Sequence, residues 1–380
     1  MARVSGSPEE WRFAGESAWA GPPTRGRWHV EELVIGVPAR NEGATIAELA
    51  VALEVGAGWL GEGIRSELVL AYQPGEDDTL LRWQSIPFRL ANRVLHGPDG
   101  ARGKGRNVKQ LIRHARQAEA HLLLVDADLR ANPPANVGRF VDVRRLARGG
   151  MALPLWCRPR GEGNSTDFLA CPLLFAAFRA RVRQPLAGQM LLTRRMLDTV
   201  DVDSLPDDYG IDIALTMHAL TQGLPVEQVE VPFPGHEAGG NSRQIMENVA
   251  SVMLAILARQ PVSERRDVSW PKRWWEAQNA PPPSSRSLRA LDEDLLPANQ
   301  LRPIHALLEG PPEEVRDFWC DRLAGAIRSA QAGRPITPLV AGLVTPFLVH
   351  AEYRRGTNVD LNGAEAYVVD LCTRLADAVS

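Results

Sequence analysis

The sequence predicts an α/β protein with a mainly parallel mixed sheet flanked by helices and a helical C-terminal region. Three observations carry that prediction. Short, wholly apolar runs such as LVIGV and HLLLV fit strands covered on both faces. They alternate with amphipathic stretches of helical spacing, the pattern of βαβ units. Beyond about residue 290, three- and four-residue apolar steps replace the strand pattern altogether.

The elements follow in order. Residues 1–30, rich in Gly, Pro and Trp, read as a lead-in. Residues 31–260 form the α/β domain. ELVIGVP (32–38) is its first strand, and ARNEGATIAELAVALEV turns into a helix. ELVLAY (67–72) and FRLANRVL (88–95) are the next strands. GKGRNVKQLIRHARQAEA (103–120) is a glycine loop opening a helix, and HLLLV leads into Asp126 and Asp128. Residues 166–182 and 242–259 read as helices, with VEQVEVPF (226–233) a further strand. Right-handed crossovers bring the carboxyl ends of parallel strands to one edge, where ligands of open α/β sheets sit. Residues 261–290, with PPPSS and mixed charge, read as a linker or wrapping segment, and 291–380 as a helical domain.

Composition narrows the function. With 43 Lys and Arg against 46 Asp and Glu, the net charge of −3 gives no basis for a nucleic-acid or anionic-membrane partner. No run reaches the ~18 apolar residues of a membrane span, and ITPLVAGLVTPFLV (336–349) reads as a buried helix. Cys157, Cys171, Cys320 and Cys372 have no zinc spacing and read as thiols in a reducing, cytoplasmic setting. Tryptophans in WPKRWW and DFWCDRL suit burial, or the interface of a homo-oligomer.

Several segments can carry chemistry, each with a structural alternative. Asp126 and Asp128 either share a hard divalent cation or cap a helix. In VPARNEG, Asn41 and Glu42 either meet a flat ligand or cap the following helix. Lys104, one of only three lysines, sits between glycines that let backbone approach a diphosphate, or in a solvated basic turn. Ser165, Thr166 and Asp167 stand where a helix would begin near Phe168, as caps or as a carboxylate site. RQPLAGQM holds a turn in which Ala187 and Gly188 permit close approach of substrate. Asp212 opens a helix and is either functional or a dipole-favouring surface acid. His236, in a glycine-bracketed loop, completes with the acids a donor set suited to Mn²⁺ or Mg²⁺.

The order VPARNEG, GKG, VDADL, QPLAGQ, YGIDIAL, PGHEAGG resembles the GT-A glycosyltransferases over about residues 31–258. It is similar to the mannosylglycerate synthase and glucosyl-3-phosphoglycerate synthase branches. The resemblance implies a GT-A fold and a divalent metal ion, Mn²⁺ or Mg²⁺. The expected reaction moves glucose or mannose, with retention, from a UDP- or GDP-sugar to a small hydroxy acid such as D-glycerate or 3-phosphoglycerate. It places Pro38, Ala39, Arg40 and Glu42 at the nucleotide, Lys104 at its diphosphate, and Asp126 with Ala127 at ribose or sugar. Leu186, Ala187, Gly188 and Gln189 would shape the sugar pocket, and Asp212 would hold sugar hydroxyls. Asp212, Asp126 and Lys104 form the implied catalytic group; Asp128 and His236, supported by Asp126, form the implied metal group. Asn164, Ser165 and Thr166, with Arg160, Arg243 and Met246, would face the acceptor.

The chain departs from the phosphoglycerate branch by lacking its Arg-Val-Thr, having Asn164-Ser165-Thr166 instead. It also has Gln189 and Asp212 where that branch has Glu. The loss of the arginine turns the expected acceptor toward glycerate. Two other readings compete. A sugar-nucleotide pyrophosphorylase would need a longer glycine-rich loop after the first strand than VPARNEGAT provides. A scaffold with a degenerate transferase domain would not need Asp126, Asp128 and His236 intact.

Overall fold

The computed structural model describes residues 30–97, 103–129, 134–156, 163–232, 242–259, 312–356 and 361–379. Residues 1–29 of the lead-in, the 261–290 segment, Arg160 and His236 lie outside these residues.

The first strands form where the apolar runs predict them: β1 (Glu31–Ala39), β2 (Ile64–Tyr72), β3 (Ala91–His96) and β4 (His121–Val125). Between them run α1 (Ile46–Gly58), α2 (Thr79–Gln84) and α3 (Lys104–Gln117). Helices α4 (Ala135–Phe140) and α5 (Val143–Arg148) lead to β5 (Met151–Leu155). A π-helical turn, Thr166–Ala170, continues into α6 (Cys171–Phe178). Then come β6 (Gln189–Leu192), α7 (Arg194–Thr199), α8 (Ile211–Thr221), β7 (Val226–Glu230) and α9 (Ser242–Leu257). The C-terminal helices are α10 (Pro312–Gln331), α11 (Ile336–Gly356) and α12 (Leu361–Val379).

The seven strands form one mixed sheet in the order β3-β2-β1-β4-β6-β5-β7. β1 pairs in parallel with β2 and β4, while β6 runs antiparallel to both β4 and β5. The sequence reading missed β5 and β6. β6 is only four residues long, and its first two residues lie in what reads as a turn. Pro154 in β5 argues against a strand, yet the β5–β6 pairing stops at Met151 and Ala152 and leaves the proline beyond it.

Side-chain alternation along the strands divides the core into two layers. Leu33, Ile35 and Val37 pack with α1, α2 and α4 on one face, together with Leu123 and Val125. Val34, Leu122 and Leu124 pack with α3, α6, α8 and α9 on the other. That second layer runs on into α10, α11 and α12 without a break: Trp319, Phe347 and Leu371 belong to it. α11 buries one stripe, Val340, Leu343, Val344 and Phe347, while Thr337 and Pro338 are exposed. Among the described residues no helix is long and apolar enough to cross a membrane.

Candidate functional site

The site gathers at the carboxyl ends of β1 and β4. Past Val125 the chain turns through Asp126, Ala127 and Asp128. The Asp126 N–H donates to the Gly188 carbonyl at 2.6 Å. Ala127 is buried in the core, and its carbonyl accepts from the Thr45 hydroxyl at 2.6 Å. The two acids are thus held on either side of a fixed residue, and the next helix described, α4, has Pro134 at its N-cap and no side-chain cap.

Lys104 opens α3, and its ammonium donates to one oxygen each of Asp126 and Asp212, both at 2.7 Å. Asp212 lies in the first turn of α8, 108 residues away in sequence, and only 7% of its side chain is exposed. The reading of Asp212 as a surface acid and of Lys104 as a solvated turn is therefore corrected. Burial alone would lower the Lys104 pKa, but the pull of Asp126 and then Asp212 leaves it raised. The Asp212 carboxyl is raised to about 6 on balance: burial pushes it up most, Lys104 draws it down, and Asp126 and Asp128 push it up. Its second oxygen, Oδ1, is buried without a hydrogen-bond partner.

The loop after β1 forms the next wall. Pro38 and Ala39 are the last residues of β1, and Arg40 is half-buried. Asn41 adopts a left-handed conformation (φ 60°), and its side-chain oxygen accepts from the Glu76 N–H at 2.8 Å. The capping reading of Asn41 fails for that reason; α1 starts later, with Thr45 at its N-cap position. The Glu42 N–H donates to the Thr79 hydroxyl and the Gly43 N–H to Asp77, each at 2.7 Å. Burial, then Asp128, Asp126 and Asp77, push the Glu42 carboxyl up to about 8. Glu42 thus shares one space with the acids of the β4 turn.

The glycines around Lys104 serve a purpose different from the expected one. A Cβ on Gly103 would lie 2.1 Å from the Asp207 carbonyl oxygen, and one on Gly105 would lie 2.1 Å from that of Pro206. They make room for the protein's own backbone, the 206–209 segment ahead of α8. Asp207 fastens this shelf to α3 by accepting from Lys109 at 2.7 Å and pairing with Arg106 at 3.0 Å. The same applies to Gly188, where a Cβ would meet the Asp126 carboxylate at 2.2 Å. The substrate-approach reading of these glycines gives way to close packing within the chain.

The shelf presents Tyr209, an exposed aromatic that the sequence reading passed over. Burial, Asp126, Asp128 and Glu42 raise its phenol pKa against the pull of Lys104, so its hydroxyl lies within electrostatic reach of these groups. The available signal was an aromatic directly preceding the Asp212 helix in a run of polar residues.

Of the remaining residues expected to shape a sugar pocket, Leu186 is half-buried and Ala187 is fully buried. Gln189 is fully buried opposite Val125, and neither atom of its amide has a partner. Among the residues expected to face an acceptor, Asn164 and Ser165 are already helical and Thr166 begins the π-helical turn. The cap expected there does not form: no side chain caps this turn, and Asp167 instead accepts from the buried Arg183 at 2.5 Å. Met246 lies in the hydrophobic layer, so its side chain is committed to packing. Arg243 is exposed and donates to Glu247 at 2.9 Å on the same helix. α9 packs against both α8 and the π-helical turn, which joins this wall to the charged one.

Among the described residues no three acid, histidine or cysteine side chains converge as a ready metal site. The donor chemistry nonetheless suits a hard cation. Asp126 and Asp212 share Lys104, and the carboxyls of Glu42 and Asp212 are pushed well up. A divalent ion would favour the ionised form of both.

No family model matches the chain, and no curated protein matches it. Among solved structures it is similar to glucosyl-3-phosphoglycerate synthase from Mycobacterium tuberculosis in complex with phosphoglyceric acid. The identity is 23% over 60% of this chain and 80% of that one, with a TM-score of 0.47. The same enzyme in complex with Mn²⁺, uridine diphosphate and glucosyl-3-phosphoglycerate gives 24%, 64% and 86%, with a TM-score of 0.48. A structure described as a mycobacterial protein gives 21%, 60% and 75%, with a TM-score of 0.47.

Proposed function

We propose that this chain is a metal-dependent GT-A glycosyltransferase. It moves glucose or mannose, with retention, from a nucleoside-diphosphate sugar to a small hydroxy acid, D-glycerate or 3-phosphoglycerate. The observation that carries the reading is the Lys104 ammonium held between Asp126 and Asp212 at the sheet edge. Three motifs that are separate in sequence, GKG, DAD and GID, meet in one charged centre with Glu42, Asp128 and Tyr209 around it. A structural ion pair would not need an unpartnered Asp212 oxygen or a Glu42 carboxyl pushed well up beside it.

Each residue then has a task. Lys104 sits where the diphosphate leaves and offers it positive charge. Asp212, with one oxygen bound to Lys104 and the other free, accepts a sugar hydroxyl and fixes the reacting carbon. Pro38, Ala39, Arg40 and Glu42 border the base and ribose. Asp128 and His236, supported by Asp126, would hold the divalent ion, which neutralises charge on the departing diphosphate when bound. Thr166, with Asn164 and Ser165, faces the acceptor carboxylate.

The test crosses UDP- and GDP-glucose and UDP- and GDP-mannose with glycerate, lactate, glyoxylate and 3-phosphoglycerate. Released nucleotide diphosphate is measured with Mn²⁺, with Mg²⁺ and with chelator. Metal-dependent release that needs both a donor and a hydroxy acid is the expected result. No release from any pair, together with no calorimetric binding of UDP or GDP, would sink the proposal and leave the scaffold reading.

A further inference from the structure

We infer that the C-terminal helices clamp the acceptor side of the site, and that Trp319 is the positioning residue that fixes the π-helical turn bearing Thr166. The inference deepens the transferase reading and rests on Thr166 facing the acceptor.

A π-helical turn carries one extra residue, which sets its carbonyls out of register with the usual partners. Here the Trp319 indole N–H, fully buried in α10, donates to the Phe168 carbonyl at 2.7 Å. Packing of an appendage onto a domain needs only apolar surface. This bond is directional, buried and aimed at the backbone of the turn itself, two residues from Thr166. Removing the donor would leave a buried carbonyl unmatched.

The other C-terminal helices close on the same turn. The Phe168 ring meets His350 of α11 edge-to-face, with centroids 4.5 Å apart, and Tyr367 of α12 at 6.4 Å. Trp319 stacks on His350 at 6.0 Å and lies against Phe347 at 5.9 Å. The His350 Nε2 and the Tyr367 hydroxyl hydrogen-bond one another. Each of the three helices thus contributes an aromatic side chain to one cluster around Phe168. α12 also packs along α6, the continuation of the turn, so the helices hold the segment over its length. α9 bears on the turn from the domain side, leaving it fixed between two bodies of the same core.

Trp319→Phe keeps a ring and removes the N–H. Loss of one buried hydrogen bond, ~1 kcal/mol, should raise the acceptor KM about five-fold while the donor KM stays within about two-fold. Amide hydrogen exchange should quicken at residues 163–171 and not in β1 or β4. In a Thr166→Ala background the same change should add nothing to the acceptor KM, because the two residues act through one contact. Tyr367→Phe is the milder variant and should give a smaller rise of the same kind. Equal shifts in both KM values overturn the clamp, as does an unchanged acceptor KM even when exchange quickens. Wild-type protein that releases no nucleotide diphosphate from any pairing sinks the transferase reading instead, and the exchange pattern then decides only whether Trp319 fixes the π-helical turn.

Discussion

The two walls of the site are built by opposite means. On one, Lys104, Asp126 and Asp212 are held by short charged contacts, and glycines let backbone meet backbone at the shelf. On the other, a π-helical turn is held by an indole bond and a group of rings. The difference matters because electrostatics and packing fail differently. A buried charge that loses its partner costs several times what a lost ring contact does. The charged wall is therefore the brittle one, and the aromatic wall is the one whose substitutions produce graded effects.

Lys104→Met tests that contrast at its largest. It strands Asp126 and Asp212 and removes the charge that would face the leaving diphosphate. Loss of such a group lowers kcat by roughly 10²–10³-fold, and breaking a buried pair costs about 3–5 kcal/mol of stability. Proton uptake by Asp212, already pushed up to about 6, should trim the stability cost at lower pH. Steady-state rates and urea unfolding near pH 8 check both numbers. A variant that keeps near wild-type kcat would leave the triad a structural ion pair.

A glycine pair sharpens the comparison. In Gly105→Ala the new Cβ would lie 2.1 Å from the Pro206 carbonyl oxygen and 2.7 Å from the Asp207 carbonyl carbon. The shelf must move, at ~1–3 kcal/mol for overpacking, and the Lys104–Asp212 contact should open with it. Gly325→Ala, in α10, meets nothing within 4 Å. A helical glycine replaced by alanine in open space should gain up to about 1 kcal/mol. Urea midpoints moving in opposite directions are the expected outcome; a parallel pair would mean the shelf is not tightly seated on α3.

How much of this was legible follows from the same physics. β1, β2 and β4 are apolar throughout because both faces are covered, so their ends, and the acids there, could be placed from sequence. β5 and β6 are short and run into a proline and a turn, and their pairing is set by tertiary contact. Lys104, Asp126 and Asp212 could each be chosen by residue type, but nothing local reveals that one ammonium serves both acids. The glycines were visible while their purpose was not, since close approach of a segment 100 residues later leaves no local trace. Tyr209 and Asp207 were missed because loop residues carry no periodicity. The tryptophan of DFWCDRL was read as buried or interfacial, and Trp319 is buried; its bond to Phe168 depends on a turn type that sequence does not announce.

A pH profile separates a crowd of acids from a fixed charge network. The Glu42 carboxyl is pushed up to about 8 in the folded chain, by burial and then by Asp128, Asp126 and Asp77. An unfolded glutamate titrates near ~4.3. Between those values the folded state holds a proton that the unfolded state has released, so stability must fall as pH rises through this window. Glu42→Gln removes the proton and should flatten the slope of Tm against pH, measured from about pH 5 to about pH 8 with chelator present. A residual slope of the same sign should persist below about 6, where Asp212 titrates. Excess Mn²⁺ should raise the wild-type Tm more at about pH 8 than at about pH 6, because a cation on the β4 acids and a proton on the neighbouring Glu42 oppose one another. Parallel Tm profiles for Glu42→Gln and wild type would mean that Glu42 stands apart from the β4 acids, and the charged wall would lose one of its members.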